Sequence, residues 1–233
     1  MTRKPPVTIM RVVVHVGGLL PLAVLVIDFF TNNLTVNPIQ VIEQRTGLYA
    51  LTFVLLALAC TPGAAFFGWR ELIPRRKALG NYGFMYAALH MLTFFGIDYG
   101  FDLDAVYRDM WNKWYIFLGA AAFLMLLALA VTSFTYWQKR LGKNWKRLHQ
   151  LIYLIAPLAV LHFVLVVKGD VTRLAGDISQ PLIYAAVAVI LLGVRVRPVK
   201  AALIGLRYQV EGAVRRRGQV ALSPAAPDKP SEE

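Results

Sequence analysis

One uninterrupted apolar segment constrains the fold of this chain more than any other feature. It covers residues 114–138, WYIFLGAAAFLMLLALAVTSFTYWQ, and carries no formally charged side chain over 25 positions. At a rise of about 1.5 Å per residue, a helix of that length covers the hydrocarbon core of a bilayer, which is about 30 Å thick. The mean hydropathy of +0.54 agrees, because an ordinary soluble domain is less apolar. The segment therefore predicts a membrane-spanning helix.

Five further apolar segments extend this interpretation to the whole chain. Together they predict six membrane helices, at residues 12–30, 48–68, 79–97, 114–138, 148–167 and 180–194. The predicted fold class is an all-α integral membrane protein, with a six-transmembrane-helix bundle over residues 1–194. Residues 195–233 are predicted to form a basic tail whose end is disordered. We see no internal repeat, no nucleotide-binding glycine motif and no second domain.

The basic residues predict which side of the membrane each loop faces. With an even number of spans, 20 of the 25 Lys and Arg residues share the side of the N-terminus. The opposite side is rich in acid, at Asp98, Asp102, Asp104, Asp109, Asp170 and Asp177. The positive-inside rule then places both termini in the cytoplasm. The net charge of +12 lies between apolar runs, where anionic lipid headgroups are better partners than nucleic acid.

Three of the four histidines lie inside predicted spans, where an unpaired polar ring is costly. His90 is about 16 Å into span three and His162 about 21 Å into span five, both counted from the inner side. Their rings could reach one iron from opposite sides. His149 opens span five, about 20 Å below His162 and about 140° around an ideal helix, with Pro157 between them. His15 is expected to pack or to link helices.

Small residues accompany His90 on its helix face. Gly83 and Ala87 stand seven and three positions before it, which leaves a flat surface where a macrocycle could lie. The alternative is that they let another helix approach closely. Ala159 gives His162 similar clearance. Cys60 is the one cysteine and is expected to pack as a small hydrophobe, so any haem would be held without covalent attachment.

Several segments together resemble a known family. The pattern is similar to the MsrQ family, the haem-binding membrane subunits of bacterial periplasmic methionine sulfoxide reductase systems, within the ferric-reductase-like transmembrane superfamily. The segments that carry the resemblance are HVGGLLPL (15–22), NPI to RTG (37–47), RRKALGNYGFMYAALHMLTF (75–94), ALAVTS (128–133), KRLGKNWKRLHQLIYL (139–154) and LHFVLVVK (161–168).

The resemblance implies an electron-transfer role in the bacterial cytoplasmic (inner) membrane. Electrons would come from a cytoplasmic flavin reductase or from quinol and pass through FMN and haem b. The acceptor would be a periplasmic molybdenum-containing enzyme that reduces methionine sulfoxide in oxidised proteins, so the membrane subunit would not carry the sulfoxide-reducing site itself. By position, His90 and His162 would be the axial ligands of the haem iron.

At the inner side, the chain departs from the pattern of the superfamily. His149 matches an inner-haem histidine, but its expected partner position holds Arg76 or Lys77, neither a usual iron ligand. This departure fits flavin rather than a second haem near the inner face. The residues that would contact FMN phosphate or haem propionates are Arg75, Arg76, Lys77, Lys146 and Arg147. The alternative is a basic rim that only sets topology.

Three other functions remain open from the sequence. A ferric or quinone reductase-type cytochrome b would use another electron acceptor. The sequence of the outer loops does not distinguish this function from the one that the resemblance implies. A proton-coupled transporter would relay protons through histidines, but spans three to six contain no carboxylate. A membrane scaffold without a cofactor is the third.

Overall fold

The computed structural model describes residues 8–167 and 178–196, together with positions 199, 201, 202, 205, 209 and 212. All regular structure within these residues is helical, which confirms the predicted all-α class. The helices are α1 (Ile9–Phe30), α2 (Pro38–Phe67), α3 (Leu72–Leu92), α4 (Leu103–Asn112), α5 (Trp114–Val131), α6 (Thr135–Leu141), α7 (Lys143–Leu148), α8 (Ile152–Val166) and α9 (Ser179–Gly193). The predicted tail, residues 195–233, lies almost wholly outside the described residues.

Four helical stretches of the described chain are long and apolar enough to cross a membrane. They are α1, α2, α5 and the continuous run Lys143–Val166, which joins α7 and α8 through a 3₁₀ turn at His149–Leu151. Of the two other predicted spans, α3 carries three basic residues near its start and α9 has 15 residues. Large apolar side chains are exposed along the helices, as lipid contact requires.

Several predicted helix ends differ from the structure. The fourth apolar segment was predicted to be helical to residue 138, but α5 ends at Val131. The hydroxyls of Thr132 and Ser133 bond to the carbonyls of Ala128 and Leu129, which competes with continuation of the helix. His149 was predicted to open a span, whereas it lies inside the run that begins at Lys143. The left-handed Gly142 (φ +51°) separates α6 from that run.

Helix α2 begins ten residues before the predicted span. Hydropathy does not reveal this start, because it is polar rather than apolar. Asn37 caps it by accepting a hydrogen bond from the Gln40 backbone, and Pro38 occupies the first helical position. The helix ends at the left-handed Gly68. These signals extend α2 to Pro38–Phe67, so that its N-terminal part reaches His90, described below.

The bundle is built from two principal helix pairs, α2 with α3 and α5 with α8. One buried cluster lies where α1, α2 and α3 meet, around the fully buried Tyr86 and the buried Cys60. The second joins the pairs to each other and to α9, around Leu58, Ile155 and Ala156. Cys60 packs as a small hydrophobe, as predicted.

Tyr86 of α3 links to α1 where one backbone hydrogen bond of α1 is interrupted. Its hydroxyl donates to the Gly18 carbonyl (2.7 Å) and accepts from the Leu22 N–H (3.0 Å), two groups that would bond to each other in a regular helix. Pro21, which lacks an N–H, lies next to this break. The hydroxyl thus completes the hydrogen bonding of α1 from outside the helix.

We expect Tyr86→Phe to lower the stability of the detergent-solubilised protein by about 1–2 kcal/mol, because two buried backbone groups lose their partner. The measurement is the midpoint of unfolding followed by helical circular dichroism. Tyr107→Phe on the exposed face of α4 is the control and should leave the midpoint unchanged. An equal shift for both variants would contradict the assignment.

Candidate functional site

The structure brings the imidazole rings of His90 and His162 next to each other. His90 lies in the last turn of α3 and His162 near the end of α8, so both stand toward the same end of the bundle. Their ring centroids are 6.2 Å apart, and the ring planes are inclined by 80°. Both side chains are partly buried. Two imidazoles separated by 72 residues in sequence therefore form one local pair.

A backbone carbonyl of a neighbouring helix holds each ring. His90 Nδ1 is 2.9 Å from the Glu43 carbonyl of α2, and His162 Nδ1 is 2.7 Å from the Tyr115 carbonyl of α5. A carbonyl only accepts, so each Nδ1 carries the proton and donates it. This tautomer leaves the Nε2 lone pair of both rings available to a metal ion.

The segment Arg45-Thr46-Gly47 fixes the carbonyl that holds His90. Arg45 forms an ion pair with Asp28 of α1 (2.5 Å), which ties the C-terminal end of α1 to the N-terminal part of α2. Thr46 is buried, and its hydroxyl bonds to the Ile42 carbonyl (2.6 Å) and approaches that of Glu43 (3.1 Å). Gly47 faces the His90 ring. Thr46 and Gly47 thus contact the carbonyl and the ring directly, and Arg45 anchors their segment to α1.

Two imidazoles alone suit a metal ion whose other ligands do not come from the protein. Among the described residues no group of three or more His, Cys, Asp and Glu side chains could hold a bare metal ion. An iron whose four equatorial positions are filled by a macrocycle needs only two further ligands. The His90 and His162 pair supplies that number.

His149 stands apart from this pair, toward the opposite end of α8. Its Nδ1 is 3.1 Å from the Trp145 carbonyl, and its ring lies 4.1 Å from the Trp145 ring. Its Nε2 is buried and lies near the Leu129 backbone without forming a hydrogen bond of normal geometry. All four histidines are described, and none of the others lies beside His149.

The predicted basic contacts divide into two groups. Arg75 turns toward α1, where it donates to the Thr8 hydroxyl (2.7 Å). The others are exposed at the α3 and α7 ends of the bundle, with Arg76 reaching the Thr61 hydroxyl (3.5 Å): they are Arg76, Lys77, Lys146 and Arg147. Exposed cations on the side of His149 are available to an anionic ligand.

The two small residues before His90 have different surroundings. A Cβ at Gly83 would lie 3.1 Å from Val54 Cγ2 and 3.3 Å from the Val54 backbone nitrogen of α2. Gly83 therefore allows close approach of α2 and α3, which favours the helix-packing alternative. Ala87 is partly buried and packs against both core clusters. Its part in holding a flat ligand stays a prediction.

His15 links two helices. Its Nδ1 is 2.9 Å from the Tyr82 hydroxyl of α3, and the two rings meet edge to face. This contact is the helix-linking role that the sequence predicted.

Sequence reasoning missed four groups at the site. The Glu43 and Tyr115 carbonyls hold the rings, and Gly47 and Gly119 give the rings room. A signal was present, because both histidines lie 47 residues after the carbonyl that they contact.

Sequence reasoning also missed Arg195, which lies away from the imidazole pair. It joins α9 to the carbonyl of Leu58 and to the Tyr153 hydroxyl.

The fold and the imidazole pair define a class, and comparison with known proteins agrees. The family described as "Ferric reductase like transmembrane component" matches residues 45–160, a range that includes His90 and Tyr115 and ends two residues before His162. No solved structure matches the chain. The protein is thus a helical membrane protein of the ferric-reductase-like class.

Curated relatives identify the family within that class. A protein of Rhodospirillum rubrum is 40% identical over 189 residues, covering 81% of this chain and 88% of the relative. Relatives from Xanthomonas euvesicatoria and Herminiimonas arsenicoxydans are 39% and 37% identical, covering 80% and 82% of this chain and 85% and 86% of their own lengths. All three bear the name protein-methionine-sulfoxide reductase heme-binding subunit MsrQ. This chain belongs to the MsrQ family.

Proposed function

We propose that this chain is the haem b-binding membrane subunit of a protein-methionine-sulfoxide reductase system. In this role it passes electrons outward across the bacterial cytoplasmic membrane. The observation that carries the proposal is the facing pair His90 and His162. The sulfoxide-reducing site belongs to a separate periplasmic subunit containing molybdenum.

The residues present fit a haem whose iron would be held by His90 and His162. Imidazole–metal bonds are about 2 Å long and a ring centre lies roughly 1 Å behind its nitrogen, so two rings sharing one metal have centres about 6 Å apart. The observed separation is 6.2 Å. Both Nδ1 atoms are engaged with carbonyls, which leaves each Nε2 as the ligating atom. The donor set is thus complete for one haem.

A bound haem supplies reversible one-electron chemistry. His90 and His162 would hold the haem iron through their Nε2 atoms, and an iron held by two imidazoles of the chain would not be open to oxygen or substrate. The Glu43 and Tyr115 carbonyls fix the orientation of the rings, so little reorganisation accompanies a change of charge. The chain's residues therefore favour electron transfer over bond-making at the metal.

We assign a flavin to the inner side. His149 offers an unpartnered Nε2 beside the Trp145 ring, and Arg76, Lys77 and Arg147 are exposed in the same region. A phosphate of FMN suits such cations. With no second histidine near His149, one haem per chain is the proposed stoichiometry. A cytoplasmic flavin reductase or quinol would supply the electrons.

We infer six spans with both termini in the cytoplasm. The four candidate spans, α3 with its π-helical extension Thr93–Asp98, and α9 together satisfy the distribution of basic residues. In this orientation the His90 and His162 pair is near the periplasmic side. The cytoplasmic side holds His149.

The outer surface beside the pair is acidic. Asp98, Asp102 and Asp104 have no cationic partner among the described residues, although Asp102 caps α4 through the Ala105 N–H. Asp109 forms an ion pair with Lys113. Hydrogen bonds from the Lys113 ammonium and the Tyr99 hydroxyl lower the pKa of Asp109, so the ion pair persists throughout the physiological pH range. The net negative charge suits a periplasmic partner with a basic docking surface.

Docking at this surface should depend on salt. We expect the rate of electron transfer to the periplasmic subunit to fall several-fold between about 0.05 and 0.5 M NaCl, because screening weakens attraction between exposed charges. Asp98→Asn combined with Asp104→Asn should reduce both the rate and its salt dependence. Glu71→Gln, an exposed acid at the start of α3, is the control. Equal salt dependence in all three proteins would reject this surface.

The overall proposal is tested by visible spectroscopy of the purified full-length protein. We expect a reduced-minus-oxidised spectrum of low-spin haem b, with one haem and one flavin per chain. Oxidation of the reduced haem by the periplasmic molybdenum subunit, and not by ferric chelates alone, would distinguish the sulfoxide reductase system from a ferric reductase. Correctly folded protein that takes up no haem when it is supplied would refute the proposal.

A further inference from the structure

The two ring-holding contacts repeat the same arrangement on different helices. A shift of 72 residues maps Glu43, Gly47 and His90 onto Tyr115, Gly119 and His162. In each set a histidine donates to a helix carbonyl, and a glycine lies four residues after that carbonyl. The same shift maps Ala87 onto Ala159. The sequence showed no repeat, because the glycine, alanine and histidine that match are widely spaced along the chain.

The position of each glycine follows from helix geometry. The carbonyl of residue i in an α-helix points at the N–H of residue i+4, so a side chain at i+4 stands beside any additional donor to that carbonyl. A Cβ at Gly47 would lie 3.1 Å from His90 Nδ1. A Cβ at Gly119 would lie 2.9 Å from both Nδ1 and Cε1 of His162. The second distance is shorter than real Cβ contacts allow.

We propose that Gly47 and Gly119 are positioning residues that set the tautomer and the rotation of the two haem-ligating imidazoles. The inference rests on the proposed function of His90 and His162. Without a side chain at these positions, each ring reaches its carbonyl through Nδ1–H and presents Nε2 to the iron. A methyl group at position 119 forces the His162 ring away from its carbonyl, so the tautomer is no longer fixed and the ring plane turns. A methyl group at position 47 requires only a small shift of the His90 ring, with a correspondingly smaller effect.

The chain contains glycines that serve as matched controls. Gly80 lies on α3, and a Cβ there would meet nothing within 4 Å. Gly83 lies on the same helix against Val54, away from the rings. Alanine is a better helix former than glycine, so a loss caused by Gly119→Ala does not come from a weaker helix.

The test compares Gly119→Ala, Gly47→Ala, Gly80→Ala and Gly83→Ala in the full chain reconstituted with haem b. The readouts are haem affinity per folded chain, and the largest g value of the ferric low-spin electron paramagnetic resonance signal, which reports the angle between axial ring planes. We expect Gly119→Ala to weaken haem binding by about tenfold or more and to shift that g value, the scale on which groups behind a ligating histidine act. Gly47→Ala should give a smaller shift in the same quantities.

The controls separate positioning from general packing. Gly80→Ala should match the unchanged protein in both readouts. Gly83→Ala should lower the thermal midpoint while leaving the g value unchanged. Histidine labelled with ¹⁵N gives a readout without haem: the unchanged protein should show Nδ1-protonated rings, and Gly119→Ala a mixture of tautomers.

Two outcomes decide the inference, and a third decides the proposed function on which it rests. A wild-type g value and affinity in folded Gly119→Ala would overturn it. If Gly119→Ala does not fold, the milder Gly47→Ala decides in the same way. Retention of the low-spin signal in His162→Ala would instead overturn the proposed function, which keeps the two failures distinct.

Discussion

Replacing His162 with alanine is expected to abolish the low-spin haem spectrum of the purified protein, and His90→Ala is expected to do the same. Each variant removes one of two imidazoles whose centres lie 6.2 Å apart, and no other histidine is placed to substitute. A haem with one remaining axial ligand becomes high-spin or dissociates. The measurement is the Soret and α-band absorption, normalised to folded protein by circular dichroism.

His15→Ala is the control for these two variants. His15 also lies within a membrane helix, but it bonds to Tyr82 rather than facing the pair. Its loss should reduce thermal stability slightly and leave the haem spectrum intact. If His15→Ala abolished the spectrum while His90→Ala preserved it, the ligand assignment would be wrong even though the chain belongs to the MsrQ family.

Arg195→Ala is expected to cause the largest loss of stability, about 2–3 kcal/mol. The Leu58 carbonyl lacks its usual helix partner, because residue 62 is a proline and has no N–H. The Arg195 guanidinium donates to that carbonyl and to the Tyr153 hydroxyl (2.7 Å), and lies over the Tyr153 ring. One side chain therefore joins α2, α8 and the end of α9. Thermal unfolding in detergent measures the loss.

A double-mutant cycle with Pro62→Ala isolates the carbonyl contact. Alanine at position 62 has an N–H that can bond to the Leu58 carbonyl. In that background Arg195→Ala should therefore lower the free energy of unfolding by about 1 kcal/mol less. Arg195→Lys keeps the charge but not the paired donors, and should recover only part of the stability. Additive effects of Arg195→Ala and Pro62→Ala would show that the arginine does not compensate for the proline.

The sequence predicted the apolar segments well because hydropathy is a local property. It failed at their ends, where polar residues decide. Asn37 and Pro38 start α2 before any apolar residue signals a span, and Thr132 and Ser133 end α5 inside an uncharged run. His149 was placed at a boundary for the same reason, since the run from Lys143 begins with basic residues.

The site was predictable in part. Helix rise gave His90 and His162 similar depths, and the structure places their rings together; their role as iron ligands stays a prediction. The carbonyls that hold the rings belong to other helices, so no pattern within one helix reveals them. Spacing from His90 predicts that Gly83 borders a flat ligand, but its contact with Val54 depends on how α2 packs, which spacing does not encode.

The location of the imidazole pair toward one end of the bundle has an energetic consequence in the proposed orientation. An electron that enters at the cytoplasmic face must cross most of the low-dielectric layer before it reaches that end. Each full crossing of one charge is worth about 2.3 kcal/mol per 100 mV of membrane potential. Because the cell interior is negative, the resting voltage drives the electron outward, so an energised membrane would itself help to reduce the periplasmic acceptor.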